Sequence, residues 1–227
     1  MFNPDNPLMR ALGKLADLVI LNFLTIICSI PIFTIDASIT ACYYCTVKIT
    51  KDEESYIWKD FFKSFKLNFR QSTVIWLINL ILISIYGADF LILTGGSIVD
   101  ISTGIRVFIL LTGVILVAFM VYVYPLQSHF ENPVKITIKN AFLLALANLP
   151  YTIVFIAVTI APIAFIFSSV FMYIVPIYVL LGVSGPIYLC SLGWKKIFAK
   201  LEGVGEESGN TDEQKESEES EETKETE

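Results

Sequence analysis

The apolar positions of this chain fall into blocks close to the length a bilayer demands, separated by short polar punctuation. A membrane-crossing helix needs about 20 mainly apolar residues. The first block runs from Leu15 to Ile35, with Asp17 and Asn22 near its start and Pro31 near its end. The second runs from Val74 to Leu93, interrupted by Asn79 and Asp89, and Thr94-Gly95-Gly96-Ser97 then reads as a turn. The third runs from Val107 to Tyr124 and is closed by Pro125, with Tyr122 and Tyr124 placed as an interfacial aromatic belt would be. No charged residue occurs from Ala141 to Leu192, a stretch too long for one span. A turn at Ser168-Ser169 divides it into spans near 141–167 and 170–192. Pro150, Pro162, Pro176 and Pro186 lie inside that pair, and each removes a backbone donor, so neighbouring helices must satisfy the freed carbonyls. The pattern predicts an all-α polytopic membrane protein of about five transmembrane helices.

The segment 36–73 reads as a loop with helices of its own. Ala37 to Thr50 continues helically until Asp52, Glu53 and Glu54 break it. From Tyr56 to Gln71, Trp58, Phe61, Phe62, Phe65 and Phe69 share one helical face. Lys59, Lys63, Lys66 and Arg70 form a basic stripe flanking that face. Rings at the acyl boundary with cations at the phosphates make a membrane-surface helix, each cation contributing about 1 kcal/mol on an anionic leaflet. An aromatic face packed under the bundle and a protein-partner surface fit the same pattern. All three readings stay open at this stage. Further on, Asn132-Pro133 reads as an N-cap and first helical position leading into the fourth span.

Charge sets the expected orientation. With five spans, the 36–73 and 125–140 loops and the C-terminus share one side and hold most of the Lys and Arg. The positive-inside rule therefore predicts a cytoplasmic C-terminus and an N-terminus outside, in a multi-pass cell-membrane protein. Composition agrees: of 227 residues, 55% are hydrophobic and 17% charged, with mean hydropathy +0.66. Soluble domains carry about 25% charged residues. The net charge of −6 misleads, because the acids crowd into residues 202–227 while the body is mildly basic. Residues 1–201 thus form a helical membrane domain, and 202–227 an acidic tail expected to be disordered. The bases build no large patch, which argues against a nucleic-acid partner.

Candidate chemistry is sparse. Cys42 and Cys45 form a lone CxxC whose nearest histidine, His129, is distant, so reduced structural thiols are expected rather than a metal site. No GxSxG, P-loop or HExxH occurs, which predicts no enzyme and no cofactor. Ionisable and amide groups inside spans are functional candidates, here Asp17, Asn22, Asn79 and Asp89. Asp17 lies one turn from Lys14 and is expected to pair with it. Asp89 lies near the outer end of its span.

Three segments carry a resemblance. PIFTIDASITACYY (Pro31–Tyr44), FFKSFKLNFRQ (Phe61–Gln71) and GPIYL (Gly185–Leu189) resemble the YesL-like family of small bacterial integral membrane proteins of unknown function. The likeness covers roughly residues 1–200. Asp36 departs from it, standing where that pattern favours glycine, and is expected at the interface. The resemblance implies no catalytic residue. It implies a genomic context of ABC-type carbohydrate importers and glycoside hydrolases. The expectation is a non-catalytic accessory membrane protein that assists or regulates such an importer through its permease subunits, with lipid as its other partner. The alternative is a small autonomous transporter or channel, expected as a homo-oligomer and motivated by the proline-broken fourth and fifth spans, since interrupted helices often line solute sites.

Overall fold

The fold is seen in a computed structural model that describes residues 7–53, 56–94, 103–166 and 171–201. Every regular element among them is helical. In chain order these are α1 (Pro7–Cys28), a short 3-10 turn (Ile32–Thr34), α2 (Ile35–Thr50), α3 (Ile57–Thr94), α4 (Thr103–His129), α5 (Val134–Ala147), α6 (Leu149–Ile166), α7 (Phe171–Leu181) and α8 (Ser184–Leu201). Four stretches are long and apolar enough to cross a membrane: Pro7–Cys28, Ile57–Ala88, Thr103–His129 and Leu149–Ile166. The pair Val175–Leu181 and Ser184–Leu201, bent by 53°, brings the number to five if the two cross together as one broken span. Large apolar side chains such as Leu77, Ile81, Phe108, Leu111 and Ile153 stand exposed on these helices, as a lipid-facing surface requires. The expected turn at Ser168-Ser169, the turn at Gly95-Gly96 and the acidic tail lie outside the described residues.

Residues 36–50, expected as a helical part of the 36–73 loop, are helical and pack inside the bundle. Pro31 stops α1, the Thr34 hydroxyl donates to the carbonyls of Cys28 and Pro31, and α2 turns back alongside α1. The hairpin is closed at its far end by Lys14 and Asp52, 2.7 Å apart. α2 is nearly all buried, its small residues Ala37, Ser38, Ala41, Cys42 and Cys45 allowing close approach by its neighbours. Lys195 Nζ on α8 donates to the Thr50 carbonyl at 3.0 Å. The start of α1 and the body of α8 therefore meet at one end of the bundle, against the expectation that they emerge at opposite ends.

Other boundaries shift for local reasons. The expected surface helix 56–71 and span 74–93 are one continuous α3. α4 runs through Pro125 to His129 instead of stopping at Tyr124. The expected fourth span is two helices that meet at Asn148, whose backbone leaves the helical region at φ −121° and ψ 47°. Pro150 then falls in the first turn of α6, where a missing N–H costs nothing. Pro133, not Asn132, caps α5, and the Asn132 carbonyl accepts from Gln71 Nε2 at 2.8 Å.

The bend between α7 and α8 is closed by α1. Asn22 is fully buried, and its Oδ1 accepts from the amides of Val183 at 2.9 Å and Ser184 at 3.0 Å. Its Nδ2 donates to the Val179 carbonyl at 2.8 Å. The Ser184 hydroxyl returns to the Leu18 carbonyl at 2.8 Å. One side chain thus satisfies the free donors of α8 and a free acceptor of α7, which water cannot do inside a bilayer. Below the bend an aromatic core joins α4, α6 and α8: Trp194 packs on Tyr122 (centroids 4.9 Å apart), Phe155 (5.5 Å) and Phe198 (5.1 Å).

Candidate functional site

Two features bear on function, one on the surface and one inside. The surface feature is the first third of α3. Its buried stripe is Ile57, Phe61, Ser64, Ser72, Ile75 and Asn79, following the helical repeat and facing α2 and α4. Lys59, Lys63, Lys66 and Arg70 are all exposed on the opposite side, joined by Leu67 at 67% exposure. Among the described residues none of these four cations has an ion-pair partner. The nearby Asp60 is engaged with Lys48 at 2.9 Å, which holds the Lys48 ammonium above its ordinary pKa.

The aromatic row lies between these two sides. Phe61 is buried, Phe62, Phe65 and Phe69 are half-buried, and Trp58 is 64% exposed. Their rings form a continuous ladder: Trp58 to Phe62 at 4.9 Å, Phe61 to Phe65 at 6.2 Å and Phe65 to Phe69 at 5.6 Å, continued to Phe33 at 6.5 Å. The face that packs under the bundle is therefore offset from the aromatic one, and only Phe61 belongs fully to both.

The internal feature sits where α2, α3 and α4 meet. Asp36 is fully buried and accepts from Tyr124 Oη at 3.0 Å. Asn79 Nδ2 lies 3.3 Å from Tyr124 Oη and 3.5 Å from Asp36 Oδ2. One to two turns away on α3 and α4, Gln127 Nε2 donates to Ser72 Oγ at 2.8 Å. Gln127 also lines a polar groove of about 550 Å³ with Lys63, Ser64, Asn68, Gln71 and His129.

Of the intramembrane candidates, Asn79 belongs to this cluster and Asn22 holds the α7–α8 bend. Asp17 is half-buried, and Lys14 pairs with Asp52 instead of with it. Asp89 falls in α3, with its side chain outside the described residues. Sequence reasoning missed Asp36. Its signals were the departure from the glycine-favouring pattern and the helical spacing that puts Ser72 and Asn79 on one stripe. Cys42, Cys45 and Cys190 are buried and unbridged, and no group of three metal-ligating side chains occurs among the described residues. His129 stacks on Phe198 at 4.1 Å.

Residues 18–90 match the model of a family described as "Protein of unknown function, DUF624". The match spans the second half of α1, α2 and most of α3, under half of the chain, and is consistent with the YesL-like resemblance. It contains the turn of the hairpin, the cationic stripe, Asp36 and Asn79. No curated protein and no solved structure matches the chain.

Proposed function

We propose that this chain is a non-catalytic accessory membrane protein, and that the cationic face of α3 is the surface through which it engages a partner. The observation that carries this reading is the exposure of Lys59, Lys63, Lys66 and Arg70 on the side of α3 turned away from its own bundle. They stand on the same unbroken helix as an apolar span. At 1.5 Å per residue, the 38 residues of α3 extend about 57 Å, against about 30 Å of hydrocarbon. Roughly 27 Å of helix therefore projects from the hydrocarbon if α3 stands upright. Arg70 and Lys66 then reach lipid phosphates, while Lys63 and Lys59 lie beyond them, at the height of a partner protein.

Orientation belongs to the same reading. Lys14, Lys51, Lys59, Lys63 and Lys195 gather at the bundle end marked by the Lys14–Asp52 pair, and Arg106 lies at the far end of α4. The positive-inside rule favours a cytoplasmic location for that end, and so for both the N-terminal helix start and the C-terminus. The kind of partner, permease subunits of an ABC-type carbohydrate importer, rests on the family resemblance alone. The test is co-purification from native membranes in mild detergent. Reversing the four cations to Glu abolishes recovery of a partner if the reading is right.

Autonomous transport is the second reading. The observation favouring it is the polar groove, which shares Gln127 with the interior polar column. Against it, the bend that motivates a solute site is already filled by Asn22. Purified protein in liposomes that moves no ion, sugar or osmolyte removes this alternative.

A further inference from the structure

The interface of α2, α3 and α4 encloses a carboxylate and several oxygens whose hydrogen-bonding capacity is unmet. Asp36 is fully buried, and among the described residues no Lys or Arg pairs with it. Its neighbours are neutral: Tyr124 Oη at 3.0 Å and Asn79 Nδ2 at 3.5 Å. The other end of the same amide, Asn79 Oδ1, is buried with no partner. Thr40 Oγ1, one turn from Asp36 on the same face of α2, is also buried without a partner. So is Gln127 Oε1, one turn from Tyr124 on α4.

Buried polar groups are almost always satisfied, and an orphan in a native interior points to a water or ion. Turning the Asn79 amide over does not help, because it exchanges an orphan acceptor for an orphan donor. A proton on Asp36 removes the charge yet leaves Asn79 Oδ1 and Thr40 Oγ1 as they are. A cation answers both problems at once, since it neutralises the carboxylate and takes up neutral oxygens. One carboxylate balances one positive charge, and an all-oxygen donor set suits a hard cation. A divalent ion would leave a net positive charge in a low-dielectric interior.

We propose that Asp36, Asn79 and Thr40 form a buried site for a monovalent alkali cation, sodium in the first instance, between α2, α3 and α4. This site is independent of the cationic face of α3 and does not rest on the accessory reading. Because it ties three helices together, its occupancy stiffens the bundle.

The test is thermal unfolding of the purified full-length protein in detergent at about pH 8, where carboxylates are ionised. Sodium chloride is titrated against N-methylglucamine chloride at constant ionic strength. The expected result is a saturable, sodium-specific rise in Tm of about 5 °C. The near-isosteric Asp36→Asn abolishes that rise, and Thr40→Val shifts it to higher sodium concentration. A Tm that depends on ionic strength alone overturns the proposal, as does an Asp36→Asn protein that responds to sodium like the parent. If Asp36→Asn does not fold, the parent titration and Thr40→Val decide the matter by the same criteria.

Discussion

Asn22 of α1 holds the amide of Ser184 on α8 across 162 positions of sequence, its Oδ1 accepting at 3.0 Å. With the Val183 and Val179 bonds, this makes Asn22 a cap supplied by another helix, joining α1 to the bend of the last span. Asn22→Ala leaves two donors and one acceptor unpaired, of which the Ser184 amide is buried. Each orphan costs about 1–3 kcal/mol, so the variant should lose at least ~2 kcal/mol in reversible detergent unfolding. A loss within error of zero would mean that the bend satisfies itself.

The glycines separate two kinds of position. A Cβ on Gly193 would lie 2.6 Å from the Phe155 ring, inside the aromatic core around Trp194. Gly193→Ala should destabilise by about 1–3 kcal/mol, and Phe155→Leu should relieve part of that loss. Gly13 and Gly87 face open space on helices. Alanine at either should be neutral or stabilise by about 0.5–1 kcal/mol. The same unfolding assay reads all four variants.

The antiparallel return of α2 predicts proximity and sidedness together. Cysteines introduced at Lys14 and Asp52 should be joined by a short bifunctional maleimide, given the 2.7 Å ion pair between the native side chains. Cysteines at Arg10 and Lys196 should both be labelled by an impermeant reagent only after the cytoplasmic face is opened, and one at Arg106 before it. Labelling of position 10 from outside would restore the N-out arrangement that loop charges alone suggest.

The Lys14 ammonium beside Asp52 holds that carboxyl below the usual carboxylate range. A depressed folded pKa stabilises the fold above the unfolded value of about 3.9, and the effect is lost as pH falls through the folded value. Asp52→Asn should therefore be slightly less stable than the parent at neutral pH and indistinguishable from it in strong acid. Because the pair is exposed, added salt should shrink the neutral-pH difference. A difference that persists in acid would assign the effect to the turn, where Asp52 has φ 56°, and not to the pair.

Much of this architecture can be read from the sequence, for a physical reason. Apolar blocks near 20 residues report a bilayer directly, so the helical membrane class and the spans in α3, α4 and α6 follow from hydropathy. α2 does not, because it is sheltered by protein: Ser38, Thr40, Thr46 and Thr50 are all buried there, and the segment reads as polar. Because that helix turns back on α1, the start of α1 and the body of α8 lie at one end of the bundle instead of at opposite ends. The exposed stripe Lys59, Lys63, Lys66 and Arg70 was legible because charge repeats with the helix. Asp36 was not, since a lone acid near a span end looks interfacial until Asn79 and Tyr124 are brought beside it from distant helices.

The most direct test of the docking account is recovery of partners by the tagged protein from its native membrane, identified by mass spectrometry. The parent is compared with the Lys59→Glu, Lys63→Glu, Lys66→Glu and Arg70→Glu quadruple variant. The account predicts that permease subunits co-purify with the parent in stoichiometric amount. It also predicts that they are lost from a variant that still folds and inserts. A variant that retains the same partners at the same level would contradict it.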